Sequence, residues 1–156
     1  MSRPELAILI GLQGSGKTTF AQTHLGTYDL VSKDRMRNNR NPERRQRQLI
    51  TQSLEADRSA VVDNTNASAD VRAPLIALGR SLGAKVVAYY FESDLKACLR
   101  RNRQRTGTGR VPDVALFATR KRLVPPGQAE GFDQRFSVRA LGDQSFEVLD
   151  WKESSG

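Results

Sequence analysis

Hydrophobic and polar residues alternate along the chain in blocks that predict strands and helices in turn. Short runs rich in apolar residues, as expected for buried parallel strands, occur at residues 6–10, 28–32, 59–63 and 85–92. Segments with helical patterning follow them, at residues 18–25, 42–57, 69–82, 94–104 and 114–123. Residues 135–151 could supply one further strand or a hairpin.

Signals at the ends of these segments agree with the pattern. Asn41 followed by Pro42 is a typical helix start, and Gly83 is a typical helix stop. The alternation of strands and helices predicts an α/β fold, with a parallel sheet of about five strands flanked by helices. A chain of 156 residues is expected to form one domain, here residues 1–156.

The segment that carries the clearest chemistry is residues 11–18, with the sequence GLQGSGKT. It matches the Walker A pattern G-x-x-x-x-G-K-[ST] in full, with a predicted strand before it and a predicted helix after it. Such a P-loop cradles phosphates with its backbone N–H groups; Lys17 would reach the β and γ phosphates of ATP, and Thr18 would bind Mg²⁺. The residues expected to bind the nucleotide are Gly11, Gly14, Ser15, Gly16, Lys17, Thr18 and Thr19.

Composition adds a strong positive charge to this picture. The chain has 25 Lys and Arg against 17 Asp and Glu, a net charge of +8, which favours a polyanionic partner such as nucleic acid. Cys98 is the only cysteine, so no internal disulfide can form, which fits a reducing cytoplasm. No apolar stretch approaches the roughly 20 residues that span a bilayer, and the first residues lack a signal-peptide pattern. We therefore expect a cytoplasmic protein with no membrane partner.

Carboxylates and amides follow two predicted strands at the edge of the sheet where the P-loop lies. Asp63 ends the strand at residues 59–63 and is expected to help Thr18 hold Mg²⁺. Asn64 and Asn66 follow at the edge where open α/β sheets bind ligands, so both are candidate substrate contacts. Asp34 comes just after the second strand and suits a general base for an acceptor hydroxyl. The equally weighted alternative is a solvated aspartate within a basic loop.

Arginines cluster in two segments. Residues 33–47 contain Arg35, Arg37, Arg40, Arg44, Arg45 and Arg47. This tract suits several phosphates in a row, as in a polynucleotide, although a small phosphorylated acceptor stays open. Residues 103–112 are predicted to form a mobile basic lid that closes on ATP and brings an arginine to the transferring phosphoryl group. One or two arginines of the basic cluster at residues 100–110, which overlaps this lid, would be catalytic, chosen from Arg100, Arg101, Arg103, Arg105 and Arg110.

Several blocks together resemble the kinase domain of the polynucleotide 5′-hydroxyl kinase family. They are GLQGSGKTTF, VSKDRMR, VVDNTNASADVR, RNRQRTGTGRVPDVALFATRKR and AEGFD, in the order of that family. The resemblance implies a P-loop kinase fold that binds ATP and Mg²⁺ through Lys17 and Thr18. It implies that Asp34 is the general base and that Arg37 holds a phosphate of the acceptor. It also implies a metal role for Asp63 and a lid role for Arg105, with Arg103 as the alternative. Both lid arginines are expected to contact ATP.

The leading hypothesis is therefore ATP-dependent phosphoryl transfer to the 5′-hydroxyl end of DNA or RNA. The catalytic residues would be Lys17, Asp34 and Arg105, and the acceptor would contact Asp34, Arg37, Asn64 and Asn66. A second hypothesis is a small-molecule kinase that acts on a nucleoside, sugar or antibiotic hydroxyl. A third is a nucleic-acid-binding NTPase that transfers phosphate only to water, in which Asp34 would have no acceptor to activate.

Overall fold

Within the described residues, six strands form one mostly parallel sheet. The computed structural model describes residues 3–36, 38–105 and 110–153, without the side chain of residue 34. The strands are β1 Glu5–Ile10, β2 Asp29–Val31, β3 Ala60–Asp63, β4 Lys85–Glu92, β5 Gln134–Ala140 and β6 Phe146–Asp150. Their order is β2-β3-β1-β4-β5-β6, and only β6 runs antiparallel to its neighbour. The predicted α/β fold is confirmed, and the last segment forms a hairpin of β5 and β6.

The helices lie close to their predicted positions. They are α1 Lys17–His24, α2 Pro42–Glu55, α3 Ala69–Ser81, α4 Leu95–Gln104 and α5 Asp113–Arg122. The Asn41 side chain accepts a hydrogen bond of 3.1 Å from the backbone N–H of Arg44, with Pro42 at the first turn, as the sequence predicts. Gly83 follows α3 with a positive φ of 78°, which confirms it as the helix stop.

The core lies on both faces of β1, the most buried strand. Leu6, Ile8 and Ile10 pack with the buried faces of α2 and α3, whereas Ala7 and Leu9 pack with α1. All five side chains have no exposed surface, because β3 and β4 cover both edges of β1 and helices cover both faces. This is why β1 is a continuous apolar run rather than an alternating one.

The strand order identifies one edge of the sheet as the place for a ligand. From β1 the chain moves to β2 and β3 on one side, and it then returns across β1 to β4 on the other. The connections after β1 and after β3 therefore diverge at the carboxyl ends of these strands, where open α/β sheets leave a crevice. The P-loop, residues 11–18, lies directly at this point.

The C-terminal half of α2 and the residues after it are anchored to β2. The Ser53 hydroxyl and the Arg58 Nε donate hydrogen bonds of 2.6 and 2.8 Å to the carboxylate of Asp29. These two bonds, the Ser53 bond first, lower the pKa of Asp29 below its usual value because they stabilise the charged form. The anchor fixes the position of α2 beside the edge strand.

One arginine lies wholly inside the protein. The Arg72 side chain in α3 has no exposed surface and forms a bidentate pair with Glu130, with distances of 2.8 and 2.9 Å. Its remaining donors reach backbone carbonyls, with Nη1 at 2.8 Å from Val124 O and 3.2 Å from Asn66 O. Arg72 thereby joins the loop after β3 to the segment after α5.

Among the described helices, none combines the length and apolar character needed to cross a membrane.

We expect Glu130→Gln to lower the free energy of unfolding by about 3 kcal/mol, because it leaves a buried guanidinium without its counter-charge. Urea unfolding of the whole protein measures the loss. The matched control is Glu147→Gln, which breaks the exposed pair with Arg139 and should cost less than about 1 kcal/mol. Equal losses in the two variants would contradict the special role of the Arg72–Glu130 pair.

Candidate active site

The P-loop connects the end of β1 to the start of α1 through two glycines in the left-handed region. Gly14 has a φ of 81° and Gly16, the residue that precedes α1, has a φ of 97°. These backbone conformations are strained for residues with a side chain. They turn the chain so that α1 begins at Lys17, with the positive end of the helix at the loop.

The loop packs closely enough that glycine is needed for a second reason. A Cβ atom on Gly11 would lie 3.0 Å from Phe91 Cβ and 3.0 Å from the Ser15 hydroxyl. A Cβ on Gly14 would lie 2.9 Å from the carbonyl oxygen of Cys98 in α4. The Ser15 hydroxyl is buried, and it has no hydrogen-bond partner among the described residues. A cradle without side chains and an unpaired buried hydroxyl fit a phosphate group.

Lys17 places a positive charge at this cradle. Its side chain is 8% exposed, and its Nζ donates hydrogen bonds to the carbonyl oxygens of Gly11 at 3.0 Å and Leu12 at 2.7 Å. The ammonium group therefore lies against the loop's own backbone. A phosphate bound by the loop would meet this charge directly, which suits the sequence-predicted contact with the β and γ phosphates.

The structure brings Thr18 and Asp63 together from two elements. The Thr18 hydroxyl, in the first turn of α1, donates a 2.7 Å hydrogen bond to Asp63 Oδ2 at the end of β3. Hydroxyl and carboxylate oxygens are ligands that Mg²⁺ accepts, so the pair fits a magnesium ion bound beside a phosphate. The described residues contain no group of three or more His, Cys, Asp or Glu side chains that could hold a metal. The other ligands of such an ion would therefore be phosphate oxygens and water.

Asn64 and Asn66 make internal contacts at the same edge. Asn64 accepts a 3.0 Å hydrogen bond from the backbone N–H of Lys33 and donates one of 2.8 Å to Gln46 in α2. Asn66 is buried, and its amide donates to the carbonyl oxygen of Leu9 at 2.7 Å. Both side chains thus brace the loop after β3, Asn64 against α2 and Asn66 against β1.

Asp34 belongs to a short 3₁₀ turn, Lys33–Met36, that follows β2 at the carboxyl edge of the sheet. The bond between Lys33 and Asn64 holds this turn next to the loop that follows Asp63. The backbone of Asp34 therefore lies at the carboxyl edge of the sheet, beside the loop after β3. The Asp34 side chain and the whole of Arg37 lie outside the described residues, so their sequence-predicted roles stay predictions.

A pocket of about 260 Å³ opens beside the P-loop. Its walls come from the loop, from α4 and from the β5–β6 hairpin, and the residues are Gly14, Gly16, Thr19, Arg101, Arg105, Ala140, Gly142, Asp143, Gln144, Ser145 and Phe146. Thr19 and Arg105 are sequence-predicted site residues that line it. Arg103, the reserve candidate, is absent from these walls and pairs instead with Asp113 at 3.1 Å.

Arg101, one of the five arginines that the sequence offers as candidates, contacts the P-loop directly. It lines the pocket, and its Nη1 donates a 2.7 Å hydrogen bond to the carbonyl oxygen of Gly14. The sequence analysis missed Phe146, and no local signal in the sequence marks its approach to Gly16.

A buried amide closes the base of the predicted lid. The side chain of Asn102 has no exposed surface; its Nδ2 donates to Val111 O at 2.6 Å and its Oδ1 accepts from Val111 N at 2.9 Å. This pair of bonds joins the end of α4 to the residues before α5. Residues 106–109, which form the predicted tip of the lid, lie outside the described residues.

The fold and the loop together define a P-loop domain. Residues 6–126 match the AAA_33 family, described as an AAA domain, and the chain belongs to this family.

Solved structures with the same fold come from proteins of different activity. A chain of the Pnkp1/Rnl/Hen1 RNA repair complex has a TM-score of 0.68 at 22% identity, over 79% of this chain and 45% of that chain. A fungal RNA kinase has a TM-score of 0.67 at 17% identity, over 99% of this chain and 40% of that chain. The APS kinase CysC of Mycobacterium tuberculosis, in complex with AMPPNP and APS, has a TM-score of 0.59 at 18% identity, over 93% of this chain and 92% of that chain. At these identities the likeness shows the P-loop kinase fold and leaves the substrate open.

We expect Gly14→Ala to lower the free energy of unfolding by at least about 1 kcal/mol more than Gly83→Ala does. Both glycines have a φ near 80°, so the backbone strain of about 1–2 kcal/mol is common to the two variants. Only at Gly14 does the new Cβ meet another backbone atom, the carbonyl oxygen of Cys98, whereas the space at Gly83 is open. Urea unfolding of both variants tests this, and equal losses would mean that α4 does not constrain the loop.

Proposed function

We propose that this protein is an ATP-dependent kinase that phosphorylates the 5′-hydroxyl end of a polynucleotide. The observation that carries the proposal is the combination of two features at one edge of the sheet. A P-loop with the Thr18–Asp63 oxygen pair lies there, and beside it lies an arginine tract whose described members form no ion pair with any described residue.

The donor half consists of the P-loop and the pocket beside it. The triphosphate of ATP would lie along the loop, with Lys17 and the N–H groups at the start of α1 as donors. Thr18 and Asp63 would hold Mg²⁺, which when bound neutralises negative charge on the β and γ phosphates. The part of the pocket between the loop and the β5–β6 hairpin would receive the nucleoside part of ATP.

The acceptor half centres on the turn after β2. The Asp34 carboxylate would accept the proton of the 5′-hydroxyl as that oxygen attacks the γ-phosphorus in line with the departing ADP. Lys17 and Arg105 would stabilise the charge on the transferring phosphoryl group. Arg37 would hold the phosphate that follows the terminal nucleoside. Asn64 orients the turn that carries Asp34 through its bond to the backbone of Lys33.

The choice of a polynucleotide over a small acceptor depends on uncompensated charge. Glu43, the one glutamate of the tract from residue 33 to residue 47, already pairs with Lys33. Five other described cations of the tract have no ion-pair partner among the described residues: Arg35, Arg40, Arg44, Arg45 and Arg47. A series of phosphates would neutralise such a tract, whereas one small acceptor would leave most of it bare.

Transfer of the labelled γ-phosphate from ATP to an oligonucleotide tests the proposal. We expect label on a 5′-hydroxyl oligonucleotide in the presence of Mg²⁺ and none on the same oligonucleotide with a 5′-phosphate. ATP hydrolysis without transfer would instead indicate an NTPase. Label on a nucleoside or sugar but on neither oligonucleotide would indicate a small-molecule kinase, and either result would overturn the proposed acceptor.

We expect Asp34→Asn to reduce kcat by about 10²-fold or more, because the amide cannot accept the proton of the hydroxyl. The affinity for ATP, measured by equilibrium binding, should stay within about twofold of the original value, since the proposed role concerns the acceptor alone. The matched control is Asp150→Asn, at the end of β6 and exposed, which should leave both quantities unchanged. A large loss of ATP affinity in Asp34→Asn would contradict the role of general base.

A further inference from the structure

We infer that the outer face of α2 binds the sugar–phosphate backbone of a single-stranded acceptor, beyond its terminal nucleotide. This arginine face consists of Arg44, Arg47, Gln48, Thr51 and Gln52, which line a groove of about 490 Å³. The inference rests on the proposed function and deepens it, because it makes the length of the strand a determinant of affinity.

The arginine face lies beside the proposed site of transfer. The N-terminus of α2 follows the turn that contains Asp34, so this end of the helix lies at the carboxyl edge of the sheet. Gln46, between the two arginines of the face, accepts the hydrogen bond from Asn64, the residue after Asp63. The first turns of α2 are thus tied to the loop that carries the proposed magnesium ligand.

The spacing of the face suits a row of phosphates. Arg44, Arg47, Gln48 and Thr51 lie three or four residues apart and therefore share one side of the helix. From residue 44 to residue 51 the helix rises about 10 Å, at about 1.5 Å per residue. This length corresponds to the axial rise of about three nucleotides of a stacked strand, at about 3.4 Å each.

The chemistry of the face favours a nucleic-acid backbone. Arg44 and Arg47 are exposed and form no ion pair with any described residue. The amides and the hydroxyl beside them can donate hydrogen bonds to phosphate and sugar oxygens. The groove has no aromatic residue on which bases could stack, so the contact would be with the backbone and would be tolerant of sequence.

A second cavity lies between the turn after β2 and helix α2, next to the face. It has a volume of about 610 Å³, and its walls include Arg35 and Met36 of the turn and Arg45 and Leu49 of α2. The Nη1 of Arg45 lies 3.4 Å from the side-chain oxygen of Gln48, which belongs to the arginine face. A strand whose first nucleotide occupies this cavity can therefore continue onto the face without a break in positive charge.

The experiment compares 5′-hydroxyl oligonucleotides of 2 and 12 nucleotides. For Arg44→Ala/Arg47→Ala we expect KM for the 12-mer to rise about tenfold, with kcat within about twofold of the original value. The slope of log affinity against log salt concentration should fall by about 1.4, which is about 0.7 for each lost phosphate contact. KM for the 2-mer should stay within about twofold, because so short a strand does not reach the face.

The matched control is Arg3→Ala/Lys152→Ala, which removes the same charge. Both residues are exposed. Arg3 precedes β1 and Lys152 follows the antiparallel strand β6, so both lie at the amino ends of the parallel strands, away from the carboxyl edge that carries the site. This control should leave KM for the 12-mer unchanged. A similar rise in the control would assign the effect to net charge alone, and an equal rise for 2-mer and 12-mer would place the contact at the terminal nucleotide; both results overturn the inference.

Binding without catalysis separates this inference from the proposed function. Fluorescence anisotropy with a labelled 12-mer should show weaker binding and a smaller salt slope for Arg44→Ala/Arg47→Ala, whether or not the 12-mer is phosphorylated. If no oligonucleotide accepts phosphate, the proposed function fails, and anisotropy still decides the role of the face. If a poly-glutamate peptide of similar charge displaces the 12-mer as well as unlabelled RNA or DNA does, the face binds acidic chains in general, and the inference is overturned.

Discussion

The buried guanidinium of Arg72, with its charge paired and its donors hydrogen-bonded, holds together the segments that support the candidate active site. Arg72 carries a permanent positive charge and has no exposed surface, so its removal from water must be offset by the Glu130 carboxylate and by backbone carbonyls. Those partners come from segments far apart in sequence. Because a buried ion tolerates little displacement of its partners, the loop after β3 and the segment after α5 are fixed relative to α3.

Backbone hydrogen bonds connect these fixed segments to the candidate active site. The loop after β3 accepts a hydrogen bond from Gly11 N through Thr65 O at 3.1 Å, and it also accepts one from Val124 N through Ala67 O at 2.8 Å. Asp63, at the start of the same loop, receives the hydroxyl of Thr18. The P-loop, the proposed magnesium ligands and the end of α5 are therefore positioned by one connected set of bonds, with Arg72 beneath it.

The positions of the arginines are more informative about function than the net charge of the chain. Some arginines serve the fold: Arg72 lies in the core, and Arg58 and Arg101 bond Asp29 and Gly14. Arg44 and Arg47 have no such partners among the described residues. Positive charges that repel one another on a single helix destabilise it, so their concentration is easier to explain by a polyanion than by folding.

The sequence predicts most of the architecture, because strands buried on both faces and helices between them leave strong periodic signals. It also predicts the P-loop and the approach of Asp63, since the loop pattern is local and strand ends meet at one edge. It does not reveal that Arg72 is buried, because an arginine in a helix ordinarily lies in water. It does not separate Arg103, which pairs with Asp113, from Arg101, which bonds the P-loop, because that choice depends on how α4 packs.

The two hydrogen bonds between Asn102 and Val111 have a consequence for how this protein can change over time. They close the connection between α4 and α5 at its base, so a change in its length beyond Arg105 leaves the packing of the two helices in place. The entropy of closing such a loop rises only with the logarithm of its length. Insertions and deletions there are thus nearly neutral for folding. The connection can therefore vary in length beyond Arg105 while the P-loop and its supports stay the same.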